Sequence, residues 1–383
     1  MTPRLLKGIH VASATDTCGW DYIRSLCWFP CLFGASSLIL LLLWSNPGIA
    51  QGTSPDQPLL NDSHFHLTNY IQQGTDIHDF LGIMGSKVGR VALFGIPLQQ
   101  QWSFRADGER APTYYLNTDA PLYYYSFTDA WIAMAYKSLA KDEQARFDPM
   151  ITGFNPTDMY AADHIRRVLQ TFPRVFSGIG EFTIHKEFVS AKIAGEVASL
   201  QDPALDRILD FAGEVGLVVL IHCDVDVPFA KEGSQPAYLN QMKAVLKRHP
   251  KTTIIWAHTG MGRVVRPIRN HAGNLADILQ DPVFSHVNFD ISWDEVAKYI
   301  VSSPEAIKIA ADLINQYPDR FLFGTDEVAP SDQESYLKVY RQYSPLWAVL
   351  DKQTSQKVRL GNYERIFDAA RQKVRTWEAA NVK

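Results

Sequence analysis

Four of the eleven histidines stand at or just past the end of a short apolar run, and that placement is the first sign of chemistry. His64 and His66 close the run Leu59–Leu67. Residues two apart on a strand share a face, so both imidazoles are expected to point the same way. His222 closes GLVVLIH and His258 closes TTIIWAH. Two carboxylates hold equivalent places, Glu181 after VFSGIG and Asp326 after FLFGT. A buried carboxylate beside apolar strands is costly unless it is paired or metal-bound. Imidazole and carboxylate are the usual ligands of zinc and of other borderline divalent metals. Together the six side chains exceed one tetrahedral zinc shell. Either two metals bind, bridged by Glu181, or one binds and the spare groups serve as acid and base. Asp62 is expected on the face of His64 and His66, orienting a ligand histidine from behind. His185, four residues past Glu181, is a lesser candidate.

Convergence needs elements that bring these ends together. The apolar runs are Leu59–Leu67, Val88–Phe94, Met150–Phe154, Val175–Phe182, Leu217–Cys223, Thr252–Ala257, Val287–Ile291 and Arg320–Thr325. Several are nearly continuous in Val, Ile and Leu, as strands covered on both faces are. Amphipathic stretches lie between them: Asp158–Thr171, Pro203–Val215, Ala237–Arg248, Pro304–Gln316 and Asp332–Tyr343. Pro203 follows Asp202 and Pro304 follows Ser303, which suits proline at the first helical position after a cap. Eight strands alternating with helices predict an α/β fold, a (β/α)8 TIM barrel, with the site at the C-terminal mouth. The rival, an open doubly wound sheet, usually carries a glycine-rich first turn, and none follows the first run. A long insertion, Pro97 to Asp148, separates strands two and three. It holds Trp102, Tyr114, Tyr115, Tyr123, Tyr124, Tyr125 and Trp131, with a helix expected over Asp129–Leu139. Its aromatic content argues against disorder. It reads equally as a lid over the mouth or as a packed side layer.

Composition narrows the class. The 383 residues are 46% hydrophobic and 20% charged, with a formal charge of −4. These values exclude a disordered, collagen-like or polytopic membrane chain. Mixed charge argues against a nucleic-acid partner, which calls for a basic patch. Three of the four cysteines fall in the first 31 residues, so no disulfide framework holds the main body. Residues 1–50 read as an address. Arg4, Lys7 and Arg24 precede the apolar run Leu32–Trp44, and Gly48-Ile49-Ala50 suits cleavage before Gln51. The run is short for a bilayer span, which needs roughly 20 residues. A cleaved export signal is therefore expected, with an uncleaved membrane anchor as the alternative. The chain from 51 to 383 is then one barrel domain, periplasmic or secreted.

The pieces NDSHFHL, SGIGEF, LIHCD, WAHTGMGR, LFGTDE and LGNYERIF resemble the amidohydrolase superfamily, and within it the amidohydrolase-related branch. The resemblance runs from about Pro58 to Ala369. It implies a metal-bearing barrel in which His64 and His66 are the strand-one ligands and His222 the strand-five ligand. His258 then binds a second metal or polarises the substrate. Asp326 matches the aspartate that accepts a proton from the activated water. Glu181 falls where two-metal members place a bridging carboxylated lysine or a glutamate; Lys186, five residues on, is a poor substitute for that lysine. The implied cofactor is a divalent metal, zinc first, with manganese or iron as alternatives, in one or two copies.

The expected reaction is metal-dependent hydrolysis of a small-molecule amide, ester, lactone or related substrate. Asp326 is the base, His258 assists, and Arg263 binds an anionic part of the substrate through its planar fork. The same branch contains single-metal decarboxylases of aromatic or muconate-type acids, which is the alternative reaction. A metal-binding barrel without turnover is the alternative from another class. An oligomer would place unpaired aromatics of the insertion in an interface.

Overall fold

The structure, a computed structural model, describes residues 57–68, 74–97, 109, 127–186, 192–193 and 196–382. The expected leader and nearly all of the insertion between Pro97 and Phe127 lie outside the described residues. Among the described residues no helix is long and apolar enough to cross a membrane.

The main sheet is parallel throughout. Its strands are β1 Leu60–His66, β2 Val88–Phe94, β3 Phe147–Ile151, β4 Gly178–Thr183, β5 Val218–His222, β6 Ile254–Trp256, β7 Val287–Asp290 and β8, which comes in two pieces, Phe321–Leu322 and Glu327–Val328. The first piece of β8 pairs with β7, and the second pairs with β1. Hydrogen bonds continue across the gap: Ser63 N donates to Phe323 O at 3.1 Å, and Asp326 N donates to His64 O at 2.7 Å. The sheet therefore closes on itself as the expected eight-stranded barrel, through a broken eighth strand. A short antiparallel pair, Lys192–Ile193 with Glu196–Val197, stands apart.

Two helices begin and end as their sequence dictates. Pro203–Val215 starts with proline in its first turn and stops at Gly216, whose φ of 85° is left-handed. Pro304–Gln316 starts behind Ser303, whose hydroxyl accepts from Ala306 N. Helix Thr128–Ser138 lies within one residue of its expected bounds.

Inside the barrel, Ala92, Met150, Val218, Leu220, Ile255 and Leu322 form one apolar cluster. The final helix, Asn362–Asn381, closes its base with Tyr363, Ile366, Phe367 and Ala370. The larger cluster fills the space between barrel and helices, as both faces of a parallel sheet require.

Bulges decide which polar residues look inward. In β4, Ile179 pairs with Val219 but Phe182 pairs with Ile221, so β4 carries one extra residue. Phe182 thus joins the outer cluster while Glu181 turns into the mouth. Gly180 makes room for this, since a Cβ there would lie 2.7 Å from the Phe94 ring. In β1 the register shifts between Asp62 and Phe65. His64 and His66 face the mouth together, as expected. Asp62 does not share their face, a correction to the simple two-residue alternation. Its carboxylate accepts from Thr325 N at 2.9 Å, Thr325 Oγ1 at 2.6 Å and Tyr336 Oη at 2.9 Å.

Candidate metal centre

His64, His66, Glu181, His222 and His258 are all at most 2% exposed. They gather with Asp326 at the C-terminal ends of the strands. His66 Nε2 lies 3.1 Å from Asp326 Oδ1 and 3.4 Å from Glu181 Oε2. His64 Nε2 lies 3.2 Å and 3.9 Å from the same two atoms. His258 Nε2 is 3.8 Å from Asp326 Oδ2 and 3.9 Å from Glu181 Oε1. All six sequence-derived candidates are brought together.

Local backbone geometry does part of this work. His258 follows β6 with a φ of 57°, and Asp326 sits in the break of β8 with a φ of 52°. Such left-handed conformations cost a non-glycine residue about 1 kcal/mol or more and cluster at functional sites. Gly324 lets the broken strand pass His64: a Cβ on it would lie 2.6 Å from His64 Cβ and 2.9 Å from its backbone nitrogen.

The hydrogen-bond network fixes which ring nitrogens look into the site. His66 Nδ1 lies 2.9 Å from Gly95 O, a group that only accepts, so Nδ1 carries the proton. His64 Nδ1 lies 3.0 Å from Asp290 Oδ2. Ser292 Oγ donates to Asp290 Oδ1 at 2.6 Å and is 2.9 Å from His258 Nδ1, which must then be the donor to it. In their neutral forms all three histidines therefore aim an Nε2 lone pair at the carboxylates. His64 Nε2, His258 Nε2 and Glu181 Oε2 are buried and make no hydrogen bond among the described residues. Acceptors that converge without donors call for a cation. His64, His66, Glu181 and Asp326 offer ligand atoms within 4.8 Å of one another, and so do Glu181, His222 and His258. The donor set fits a divalent metal of the zinc kind.

Charge couples the group tightly. Burial opposes ionisation of Glu181, yet the Lys186 ammonium and the neighbouring rings of His222, His258 and His64 hold its carboxyl well below the ordinary range. Burial likewise opposes charge on Asp326, while His64, His66 and His258 keep its carboxyl well below the ordinary range. Burial disfavours protonated His64, but Asp326 and Asp290 push it well above the usual histidine range. His66 is also raised, against burial, by Asp326 and Glu181. His258 is lowered, chiefly by burial.

The sequence alone does not single out Asp290 or Asp224, and it offers Lys186 only as a poor substitute for a bridging lysine. Asp290 at the end of β7 bonds the His64 ring and accepts from His258 N at 2.7 Å. Asp224 Oδ1 holds His222 Nε2 at 3.1 Å, while His222 Nδ1 meets Glu181 Oε1 at 2.7 Å. Lys186 Nζ reaches the same Glu181 oxygen at 3.2 Å. A signal for Asp290 exists in the sequence, since it is the one carboxylate within the run Val287–Ile291. His185 stands outside the cluster, stacked 3.7 Å from the Tyr238 ring and lowered to about 4 by burial. Arg263 is half-exposed, pairs with Glu295 at 3.2 Å and lies 5.6 Å from the Trp293 ring. That ring is 5.1 Å from His258, so Arg263 borders the site without entering it.

The sequence model of the amidohydrolase family matches residues 62–369. The chain belongs to the amidohydrolase family. This amidohydrolase is similar to several solved structures at low identity. A putative 2-pyrone-4,6-dicarboxylic acid hydrolase from Pseudomonas putida is 15% identical, with 81% of this chain and 97% of that chain covered and a TM-score of 0.49. A 2,6-dihydroxybenzoate decarboxylase from Rhizobium is 12% identical, with 82% and 99% covered and a TM-score of 0.47. An amidohydrolase from Burkholderia multivorans with bound zinc is 13% identical, with 81% and 99% covered and a TM-score of 0.47. No curated protein matches the chain.

Proposed function

We propose that this amidohydrolase is a metal-dependent hydrolase of a small-molecule amide, ester or lactone. The observation that carries the reading is the convergence of His64 Nε2, His258 Nε2 and Glu181 Oε2, buried atoms with no hydrogen-bond partner among the described residues. His64, His66, Glu181 and Asp326 are the residues that would hold the cation, with His222 and His258 beside it. Zinc suits this mixed imidazole and carboxylate set, and manganese or iron are alternatives. When bound, such a cation supplies Lewis acidity and brings the pKa of water to about 7.

The chain's own residues do the rest. Asp326 accepts the proton of the attacking water and passes it to the leaving group. His258, neutral and with its Nε2 lone pair facing the site, suits proton acceptance or ligation. It does not offer the N–H that polarising a substrate oxygen requires. Asp290 and Ser292 hold two histidine rings in register. Trp293 and Arg263 give the rim an apolar plate and a cation, which suits a substrate with a planar or anionic part. Residues 1–50 support export, as a cleaved signal or an anchor.

The test is to purify the full chain without added metal, measure bound metal, and assay ester, lactone and amide panels. About one or more equivalents of metal, with hydrolysis lost in Asp326→Asn, is expected. Undiminished turnover in that variant overturns the role of Asp326. Carbon dioxide release from aromatic acids without water consumption makes the enzyme a decarboxylase. Metal below about a tenth of an equivalent, even after excess zinc, supports a barrel without turnover.

A further inference from the structure

Glu181 belongs to two of the three groups of candidate ligand atoms, and its two oxygens face different surroundings. Oε2 looks toward His64 and His66 and makes no hydrogen bond among the described residues. Oε1 lies 2.7 Å from His222 Nδ1 and 3.2 Å from Lys186 Nζ. A glutamate that bridges two metals must give one oxygen to each. Here one oxygen meets N–H donors instead.

Resting on the metal-dependent reading above, we propose that the centre holds one divalent cation, between His64, His66, Glu181 Oε2 and Asp326. The ammonium of Lys186 stands in the place of a second. Lys186 is only 5% exposed, so its charge is little screened by solvent. A divalent ion on Glu181 Oε1 would share that oxygen with the ammonium at hydrogen-bond distance, and like charges so close repel strongly. His222 strengthens the block. Its Nδ1 meets the Glu181 oxygen while Asp224 Oδ1 sits 3.1 Å from Nε2. The third set of candidate atoms, on His64, His258 and Asp290, is tied up internally through Ser292.

The test uses the full chain and zinc alone. The protein is equilibrated with excess zinc, freed of unbound ion by gel filtration, and analysed for zinc per chain. Wild type and Lys186→Arg are expected to retain about one equivalent. Lys186→Met and Lys186→Gln are expected to gain a second, weaker equivalent, lost again when His222→Ala is added. Circular dichroism and thermal unfolding establish which variants are folded, and either apolar or amide replacement suffices. Cobalt loading gives a second readout, because two ions sharing Glu181 couple magnetically and one does not. Two equivalents in wild type overturn the proposal. So does a single equivalent in both folded replacements of Lys186. No bound zinc in wild type defeats the metal-dependent reading itself.

Discussion

The two ends of this barrel both bury charge, and they treat it in opposite ways. At the base, Asp148 on β3 is 1% exposed. Its Oδ2 accepts from Arg90 Nε and Nη2 and from Tyr363 Oη, and its Oδ1 accepts from Arg371 Nε and Nη2, all between 2.6 and 3.2 Å. Every lone-pair direction has a donor. At the mouth, Glu181 and Asp326 are buried as well, but Glu181 Oε2 and Asp326 face the Nε2 atoms of three histidines rather than a full set of donors. The base is a finished ion cluster that ties the last helix to the barrel. The mouth instead leaves His64 Nε2, His258 Nε2 and Glu181 Oε2 without a hydrogen-bond partner among the described residues. Burial alone does not distinguish structural from functional charge; the tally of donors and acceptors does.

Substitutions at the two ends sharpen that contrast. The largest effect is expected at the mouth and on rate: Asp326→Asn should lower turnover about 10^3-fold, measured on whichever substrate the panels identify. Its thermal stability should fall less than a loss at the base costs, because asparagine keeps the side chain's volume and an acceptor oxygen for the neighbouring rings. At the base the same kind of change should act on folding. Asp148→Ala leaves Arg90 and Arg371 without their shared partner and should cost about 3 kcal/mol in urea unfolding. A loss at Asp148 no larger than at Asp326 would break the contrast. Asp290→Asn should weaken zinc binding by about 10–100-fold in chelator competition, since it loosens two rings without removing a ligand. The smallest effect belongs to the rim: Arg263→Gln should change unfolding free energy by less than about 1 kcal/mol. A raised KM with that stability intact would tie Arg263 to the substrate.

Much of the architecture was legible because apolar continuity is a strong signal. VVLIH is buried at every position, as a strand covered on both faces must be. Pro203–Val215 and Pro304–Gln316 were readable to the residue, because proline and a stop or cap mark their limits. Apolar continuity alone puts β3 too late, at Met150–Phe154, whereas the strand is Phe147–Ile151. Asp148 and Pro149 look like loop residues until the arginines of β2 and the last helix are brought beside them. β8 looks like one strand in the sequence, Arg320–Thr325, because the partner that breaks it, β1, is far away along the chain. The site was legible wherever strand alternation held, as at His64 and His66. It failed where bulges changed the count, as at Asp62. Its spacing from Glu181 makes Lys186 look remote in the sequence, yet the turn after β4 brings its ammonium back to that carboxylate.

The broken eighth strand also sets a schedule. Ser63 and Phe323 are 260 positions apart, and their hydrogen bond is one of those that close the ring. A ribosome delivers the N-terminal part first, so His64 and His66 emerge long before Asp326 exists. Contacts so distant in sequence are slow to form, because the intervening chain must be ordered or folded first. The four-residue cluster is therefore assembled only after nearly the whole polypeptide has been made. A nascent chain stalled before Phe321 can hold a partial set of imidazoles but not the completed cage, and acquisition of the ion becomes a late checkpoint of maturation.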